Sequence, residues 1–111
     1  MATLSSHLLN SVNGTHANNV DIIIYQIKSN GEKKVFCETK TDDGGRVLKE
    51  FDLNDEDCKS EYEMVCKTGD YFSEKKIVSE ITVKFKMLDP NKKYHIPIII
   101  SPNGYSIWWS D

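Results

Sequence analysis

The sequence predicts an all-β protein, an eight-stranded antiparallel β-sandwich with one short helix. Three observations favour this fold class. Short segments rich in β-branched residues recur along the chain, turn residues separate them, and a single segment has the composition of a helix. Because the chain has 111 residues, we expect one domain over residues 1–111 that buries roughly two-thirds of its unfolded surface without disulfide bonds.

The predicted strands follow from local composition and from the alternation of apolar and polar side chains. The segment 20–27 is dense in β-branched residues and lies between turns at residues 18–19 and 29–31. In the segment 81–87, apolar residues alternate with Thr82, Lys84 and Lys86, which is typical of a strand with one face in the core. In chain order, the predicted strands cover residues 4–9, 20–27, 35–40, 47–53, 61–66 and 81–87, with two carboxy-terminal strands beginning near Tyr94 and Gly104.

One helix is predicted, over residues 71–77, because Glu74, Lys75 and Lys76 are good helix formers and Asp70 precedes them as a capping residue. The stretch 41–45, which contains Gly44-Gly45, has the composition of a loop. No helix or strand is predicted over the acidic run at residues 54–57. Arg46 therefore stands where a loop meets a strand.

Charge and composition exclude several classes of partner. The net charge is −3, from 14 basic and 17 acidic side chains, so we expect no nucleic-acid partner and no membrane partner. No stretch approaches the roughly 20 apolar residues of a membrane span, and we expect a soluble, cytoplasmic protein. The three cysteines, Cys37, Cys58 and Cys66, are odd in number and lack a CxxC spacing. This pattern favours reduced thiols over disulfides or a zinc site.

The carboxy-terminal quarter places His95 in an apolar run at residues 94–102. On a strand, His95 shares its face with Pro97, Ile99 and Ser101 and points away from Tyr94. A single histidine on a strand is more often structural than catalytic, so this run alone does not assign a function. Because both faces of this region and of residues 20–27 are apolar, we expect burial against another subunit.

Four separated motifs occur in a fixed order over nearly the whole chain. They are Leu4-Ser5-Ser6-His7-Leu8-Leu9-Asn10-Ser11-Val12-Asn13-Gly14, Asp42-Asp43-Gly44-Gly45-Arg46, Thr68-Gly69-Asp70-Tyr71-Phe72, and Tyr94-His95-Ile96-Pro97 with Ser101-Pro102 and Gly104-Tyr105-Ser106. Together they resemble the transthyretin-like 5-hydroxyisourate hydrolase family. The resemblance implies a homotetramer, a dimer of dimers, with active sites in channels at the dimer–dimer contact. It also implies hydrolysis of 5-hydroxyisourate to 2-oxo-4-hydroxy-4-carboxy-5-ureidoimidazoline in urate degradation, with no metal or organic cofactor.

The same resemblance assigns candidate site residues. His7, Arg46 and His95 match the family's catalytic and substrate-binding positions, and Ser106, Trp108 and Asp111 match positions that shape the pocket. A histidine near neutral pKa can take a proton from attacking water, and a guanidinium can hold the substrate's oxygens. Either His7 or His95 can be the base; we favour His95. His16 has no counterpart role and is interpreted as a loop residue.

The carboxy terminus departs from the family. Where the family usually ends Tyr-Arg-Gly-Ser, this chain ends Trp108-Trp109-Ser110-Asp111, which removes one positive charge and adds one negative charge. The alternative function is therefore a non-catalytic transthyretin-like tetramer that binds a small aromatic ligand or a protein partner. Retention of His7, Arg46 and His95 favours the enzyme.

Overall fold

The computed structural model describes residues 1–72 and 77–109, which form two packed β-sheets. The β-sandwich predicted from the sequence is confirmed. Within these residues the strands are β1 (Ala2–Asn10), β2 (Thr15–His16), β3 (Asp21–Ile27), β4 (Lys33–Lys40), β5 (Arg46–Phe51), β6 (Glu61–Cys66), β7 (Ile81–Lys86), β8 (Lys93–Ser101) and β9 (Gly104–Ile107). The helices are α1 (Asp55–Lys59) and α2 (Thr68–Tyr71). The extra strand relative to the prediction is the two-residue β2.

The first sheet has the order β2-β1-β8-β9, with β5 also paired to β1, and the second has the order β4-β3-β6-β7. Strands β1 and β8 are parallel, whereas the sequence predicted antiparallel pairing throughout. Parallel neighbours need a long crossover connection, and here the whole second sheet lies between these two strands in the chain. The wholly antiparallel prediction was wrong at this pair because it rested on local patterns, which do not report which distant strands become neighbours.

The core lies between the sheets and is formed by alternate residues of each strand. Along β1 the burial alternates strictly, so Leu4 and Leu8 face the second sheet. Ile98 of β8 joins them, and Ile22 and Met64 approach from the other side. Burying each such aliphatic side chain stabilises the fold by about 1.5–3 kcal/mol. The outward residues of β1 and β8 are thereby fixed on the opposite face of the first sheet.

The prediction of a single helix was wrong. Helix α1 includes part of the acidic run at residues 54–57, where no helix was predicted, and a capping box formed by Asn54 and Asp57 starts it. The Asp57 N–H donates to Asn54 Oδ1 at 2.8 Å, and the Asn54 N–H donates to Asp57 Oδ2 at 3.1 Å. Helix α2 starts before Tyr71 and ends at that residue. In the rest of the predicted helix, Phe72 and Ile77 are not helical, and residues 73–76 lie outside the described residues.

The three cysteines are unpaired in the structure. Cys66 is buried on β6, and this burial raises the pKa of its thiol to about 12, so it remains a neutral part of the core. Among the described residues, no helix combines the length and apolar character needed to cross a membrane.

Candidate active site

Four of the predicted site residues, His7, Arg46, His95 and Ser106, lie on the outer face of the first sheet. Strand β1 lies between β5 and β8, and its register sets His7 opposite Arg46 on one side and Pro97 on the other. Ser5 lies opposite His95 in the same parallel ladder. Residues directly opposite in neighbouring antiparallel strands have Cβ atoms about 4.5–5.5 Å apart. We call the surface formed by Ser5, His7, Arg46, His95 and Ser106 the polar face.

Arg46 is positioned by the tight loop before β5. The Asp42 Oδ1 atom accepts hydrogen bonds from the backbone N–H groups of Gly44 and Arg46, both at 2.9 Å. Gly45 has a φ of 73°, which glycine adopts without strain, and its carbonyl accepts a hydrogen bond from the Leu8 N–H at 2.8 Å. The loop is thus fastened to β1, and Arg46 begins β5 beside His7.

His95 is held by a hydroxyl group from the neighbouring strand. The Ser5 Oγ atom lies 2.7 Å from His95 Nδ1, at the position where β1 and β8 place these residues side by side. The bond fixes the imidazole plane. Within the part of the chain that the structure describes, Nε2 of His95 has no hydrogen-bond partner, and one ring nitrogen is therefore available on the polar face.

His7 is half-buried, and its environment keeps the ring neutral. Partial burial is the largest cause that lowers the pKa of His7, and the Arg46 guanidinium is the next. His16 and His95 lower the His7 pKa further, while a hydrogen bond to the Gly44 backbone opposes the shift. A neutral His7 therefore persists to lower pH than an isolated histidine would.

His16, which was interpreted as a loop residue, contacts His7. It lies on β2 opposite Leu9, and its Nδ1 atom is 2.9 Å from His7 Nε2. The two rings are stacked, with centroids 4.9 Å apart and planes inclined by 26°. A turn at Asn13-Gly14 folds the chain back and produces this contact. That turn and the alternating pattern of β1 are the sequence signals that would have found it.

The carboxy-terminal candidates that the structure describes, Ser106 and Trp108, lie beside the outer side of the first sheet. Ser106 on β9 is paired with Ile99, which lies on the same side of the sheet as the polar face. Trp108 follows β9, and its backbone N–H donates to the Pro97 carbonyl at 3.4 Å. This register places Ser106 on the polar face, and the alternation of side chains along the chain directs Trp108 to the same side. Asp111 lies outside the described residues.

Trp109 packs in the other direction, against Tyr94 and Lys92. Its ring centroid is 6.1 Å from that of Tyr94, and the Lys92 Nζ atom is 4.7 Å from the Trp109 ring centroid. A pocket of about 410 Å³ lies there, lined mainly by apolar residues that include Phe85, Leu88 and Ile96. Because Tyr94 and Ile96 point away from His95 on β8, this pocket is separate from the polar face.

The described residues do not provide a set of metal-ligating side chains at this site. Among the residues that the structure describes, no three His, Cys, Asp or Glu side chains form a group that could hold a metal ion. The polar face instead offers two imidazole environments and one guanidinium group. Such a set can accept a proton and bind the oxygens of a polar, planar molecule.

The two packed sheets, with the polar face on the outer side of the sheet that contains β1 and β8, place this chain in the class of transthyretin-like proteins. The chain belongs to the HIUase/Transthyretin family, whose model matches residues 4–109. It is 28% identical to the 5-hydroxyisourate hydrolase of Halalkalibacterium halodurans over 95% of this chain and 94% of that protein. It is 33% identical to the 5-hydroxyisourate hydrolase of Salmonella dublin over 95% and 78%, respectively.

Solved structures show the same fold. The Klebsiella pneumoniae 5-hydroxyisourate hydrolase superposes with a TM-score of 0.77 at 22% identity, with both chains fully covered. The structure of (S)-allantoin synthase matches with a TM-score of 0.79 at 22% identity, over 99% of this chain and 44% of that one.

Substitution of Gly45 tests whether the loop before Arg46 requires a residue without a side chain at this position. A Cβ at this residue would lie 2.5 Å from the Leu8 carbonyl oxygen, in addition to the left-handed backbone cost of about 1–2 kcal/mol. We expect Gly45→Ala to lower the free energy of unfolding, measured by denaturant titration, by more than Gly14→Ala does. Gly14 is the matched control, because it has the same φ of 73° and no atom within 4 Å of its added Cβ. Equal losses in the two variants would contradict the steric role of Gly45.

Proposed function

We propose that this chain is a 5-hydroxyisourate hydrolase that acts in urate degradation and uses the polar face as its active site. The observation that carries the proposal is the register of β1, which aligns His7 with Arg46 and Ser5 with His95. Relatives that bear the name 5-hydroxyisourate hydrolase align over most of the chain, which supports the same activity.

His95 is the base in this proposal. Its Nδ1 atom is engaged by Ser5, and in the described part of the chain its Nε2 atom has no partner, whereas Nε2 of His7 is occupied by His16. When the Ser5 hydroxyl accepts from Nδ1–H, the lone pair of Nε2 faces the substrate and can take a proton from water. General-base assistance of this kind contributes about 10²–10⁴-fold to a rate.

Arg46 and His7 bind and polarise the substrate. The guanidinium donates to the ring oxygens, where negative charge develops as water adds to the carbonyl carbon. His7 lies beside Arg46, and the lowered pKa of His7 keeps a second positive charge away from the guanidinium. Ser106 and Trp108 border the same face and would contact the edge and plane of the substrate.

The reaction balances with water as the sole co-substrate. Water loses a proton to His95 and its oxygen bonds to the amide-like carbonyl carbon of the ring. The ring C–N bond then breaks, the nitrogen leaves with a proton returned by the imidazolium, and the carbonyl carbon becomes a carboxyl group. No electron transfer and no cofactor are required, which agrees with the hydrolytic chemistry in the names of the relatives.

Loss of the proposed base is the direct test of the activity. We expect His95→Asn to lower turnover of 5-hydroxyisourate by about 10²–10⁴-fold, because the amide cannot accept the proton from water. The substrate is generated in place from urate by urate oxidase, and its decay is followed optically. Lys93→Asn is the control, since it is an exposed residue on the same strand and should retain turnover.

The outcome also separates the two candidate functions. Decay no faster than the spontaneous reaction with the unaltered protein would refute the hydrolase and favour the non-catalytic ligand-binding tetramer, towards which the altered carboxy terminus points. Rapid decay that His95→Asn does not slow would keep the hydrolase and remove His95 from the mechanism.

Ser5 should support catalysis through His95. We expect Ser5→Ala to lower kcat/KM by about two- to tenfold, because a net hydrogen bond of about 0.5–1.5 kcal/mol that orients the imidazole is lost. Ser6→Ala is the matched control: the Ser6 hydroxyl is buried on the opposite face and donates to the Ile96 carbonyl at 2.7 Å. It should reduce stability and leave kcat/KM within twofold. A Ser5→Ala enzyme with unchanged kcat/KM would contradict this role.

A homotetramer in the cytosol is part of the proposal. Leu48 lies opposite Ser5 in the register and is 66% exposed, and Trp108 beside the polar face is 45% exposed, so a large apolar area flanks the site. Three unpaired cysteines fit a reducing compartment.

Light scattering tests this assembly. We expect a mass about four times the 12.7 kDa of the chain for the unaltered protein. Leu48→Glu should yield smaller species, because a carboxylate is costly to bury, whereas Val35→Glu, at an exposed residue of the second sheet, should not. A monomeric mass for the unaltered protein would exclude the tetramer.

A further inference from the structure

His7 and His16 form an imidazole pair at the edge of the polar face. The pair is defined by the 2.9 Å contact between His7 Nε2 and His16 Nδ1 and by stacking of the rings at 4.9 Å. His16 is exposed and His7 is half-buried, so the pair leads from solvent to the site. Backbone pairing of Leu9 with His16 holds the second ring in place.

The hydrogen bonds of His7 determine which nitrogen carries its proton. The ring faces the Gly44 backbone as well as His16, and a backbone carbonyl only accepts. Since Nε2 is bonded to His16, the nitrogen that donates to Gly44 is Nδ1. With Nδ1–H directed at Gly44, Nε2 of His7 accepts from Nδ1–H of His16, because a neutral imidazole has one donor and one acceptor.

Titratable and charged groups approach His7 from each neighbouring strand. Arg46 comes from β5, His95 from β8 and His16 from β2, while the Asp42 carboxylate is bonded to the backbone N–H groups of Gly44 and Arg46. A protonated His7 could no longer accept from His16 and would repel the Arg46 guanidinium. The bond from His16 therefore favours the neutral ring.

We propose that His16 is a positioning residue that holds His7 as its neutral Nδ1–H tautomer beside Arg46 and thereby sets the lower pH limit of activity. This inference rests on the proposed hydrolase function. His16 does not contact substrate in this account. It acts through His7, by satisfying Nε2 and fixing the plane of the ring.

The test compares His16→Ala with His16→Asn. Alanine removes the donor, whereas the asparagine amide N–H can replace Nδ1–H without adding a titrating group. For His16→Ala we expect kcat/KM to fall about fivefold near pH 6 and to stay within twofold near pH 8, because the lost hydrogen bond favours the neutral His7 ring and only acidic pH protonates that ring. His16→Asn should restore most of the loss. Val12→Ala, at an exposed side chain of the connection between β1 and β2, is the control and should match the unaltered protein.

Proton NMR titration of His7 supplies a readout that does not depend on turnover. His16→Ala should raise the His7 pKa, because both the hydrogen bond and the repulsion between the two rings are lost. An unchanged His7 titration, or an equal loss of kcat/KM at both pH values in the Ala and Asn variants, would overturn the proposal.

If the unaltered protein lacks hydrolase activity, the proposed function fails and the claim on pH-limited turnover fails with it. The titration still decides whether His16 holds His7 neutral.

Discussion

The backbone register of β1 is the constraint on which the rest of the structure depends. This strand pairs with β5 on one side and with β8 on the other, and both ladders extend over most of its length. A shift of one residue in either ladder would move His7 or His95 to the opposite face and place core side chains in solvent. The apolar residues that fill the core thus fix the position of the polar face, although they lie on its other side.

Placement of the polar groups on a sheet rather than on long loops has a chemical consequence. Side chains on neighbouring strands are held at fixed spacings by backbone hydrogen bonds, so little ordering is needed when a ligand arrives. The Arg46 guanidinium and the imidazoles are close enough to affect one another, which is seen in the lowered pKa of His7. Partial burial strengthens this coupling because water screens it less.

The family's carboxy-terminal arginine position is occupied here by Trp109, and the fold places that residue away from the polar face. Its contacts with Tyr94 and Lys92 belong to the apolar pocket on the inner side of the sheet. Trp108 keeps an aromatic group near the site. The ending of the chain and the strand residues of the polar face are therefore separate features of this structure, because Trp109 lies on the inner side of the sheet.

Local patterns in the sequence determined the strand segments, the inward and outward faces of β1 and β8, and the position of Arg46 at the start of a strand, because side-chain alternation and turn residues act over a few positions. The capping box at Asn54 was also encoded locally, although no helix was predicted over this acidic run. Only the tertiary structure decided that β1 and β8 are parallel, that Ser5 meets His95, and that His16 meets His7. These contacts join residues through strand register, which depends on how distant segments share one core and is not determined by the residues adjacent in the chain.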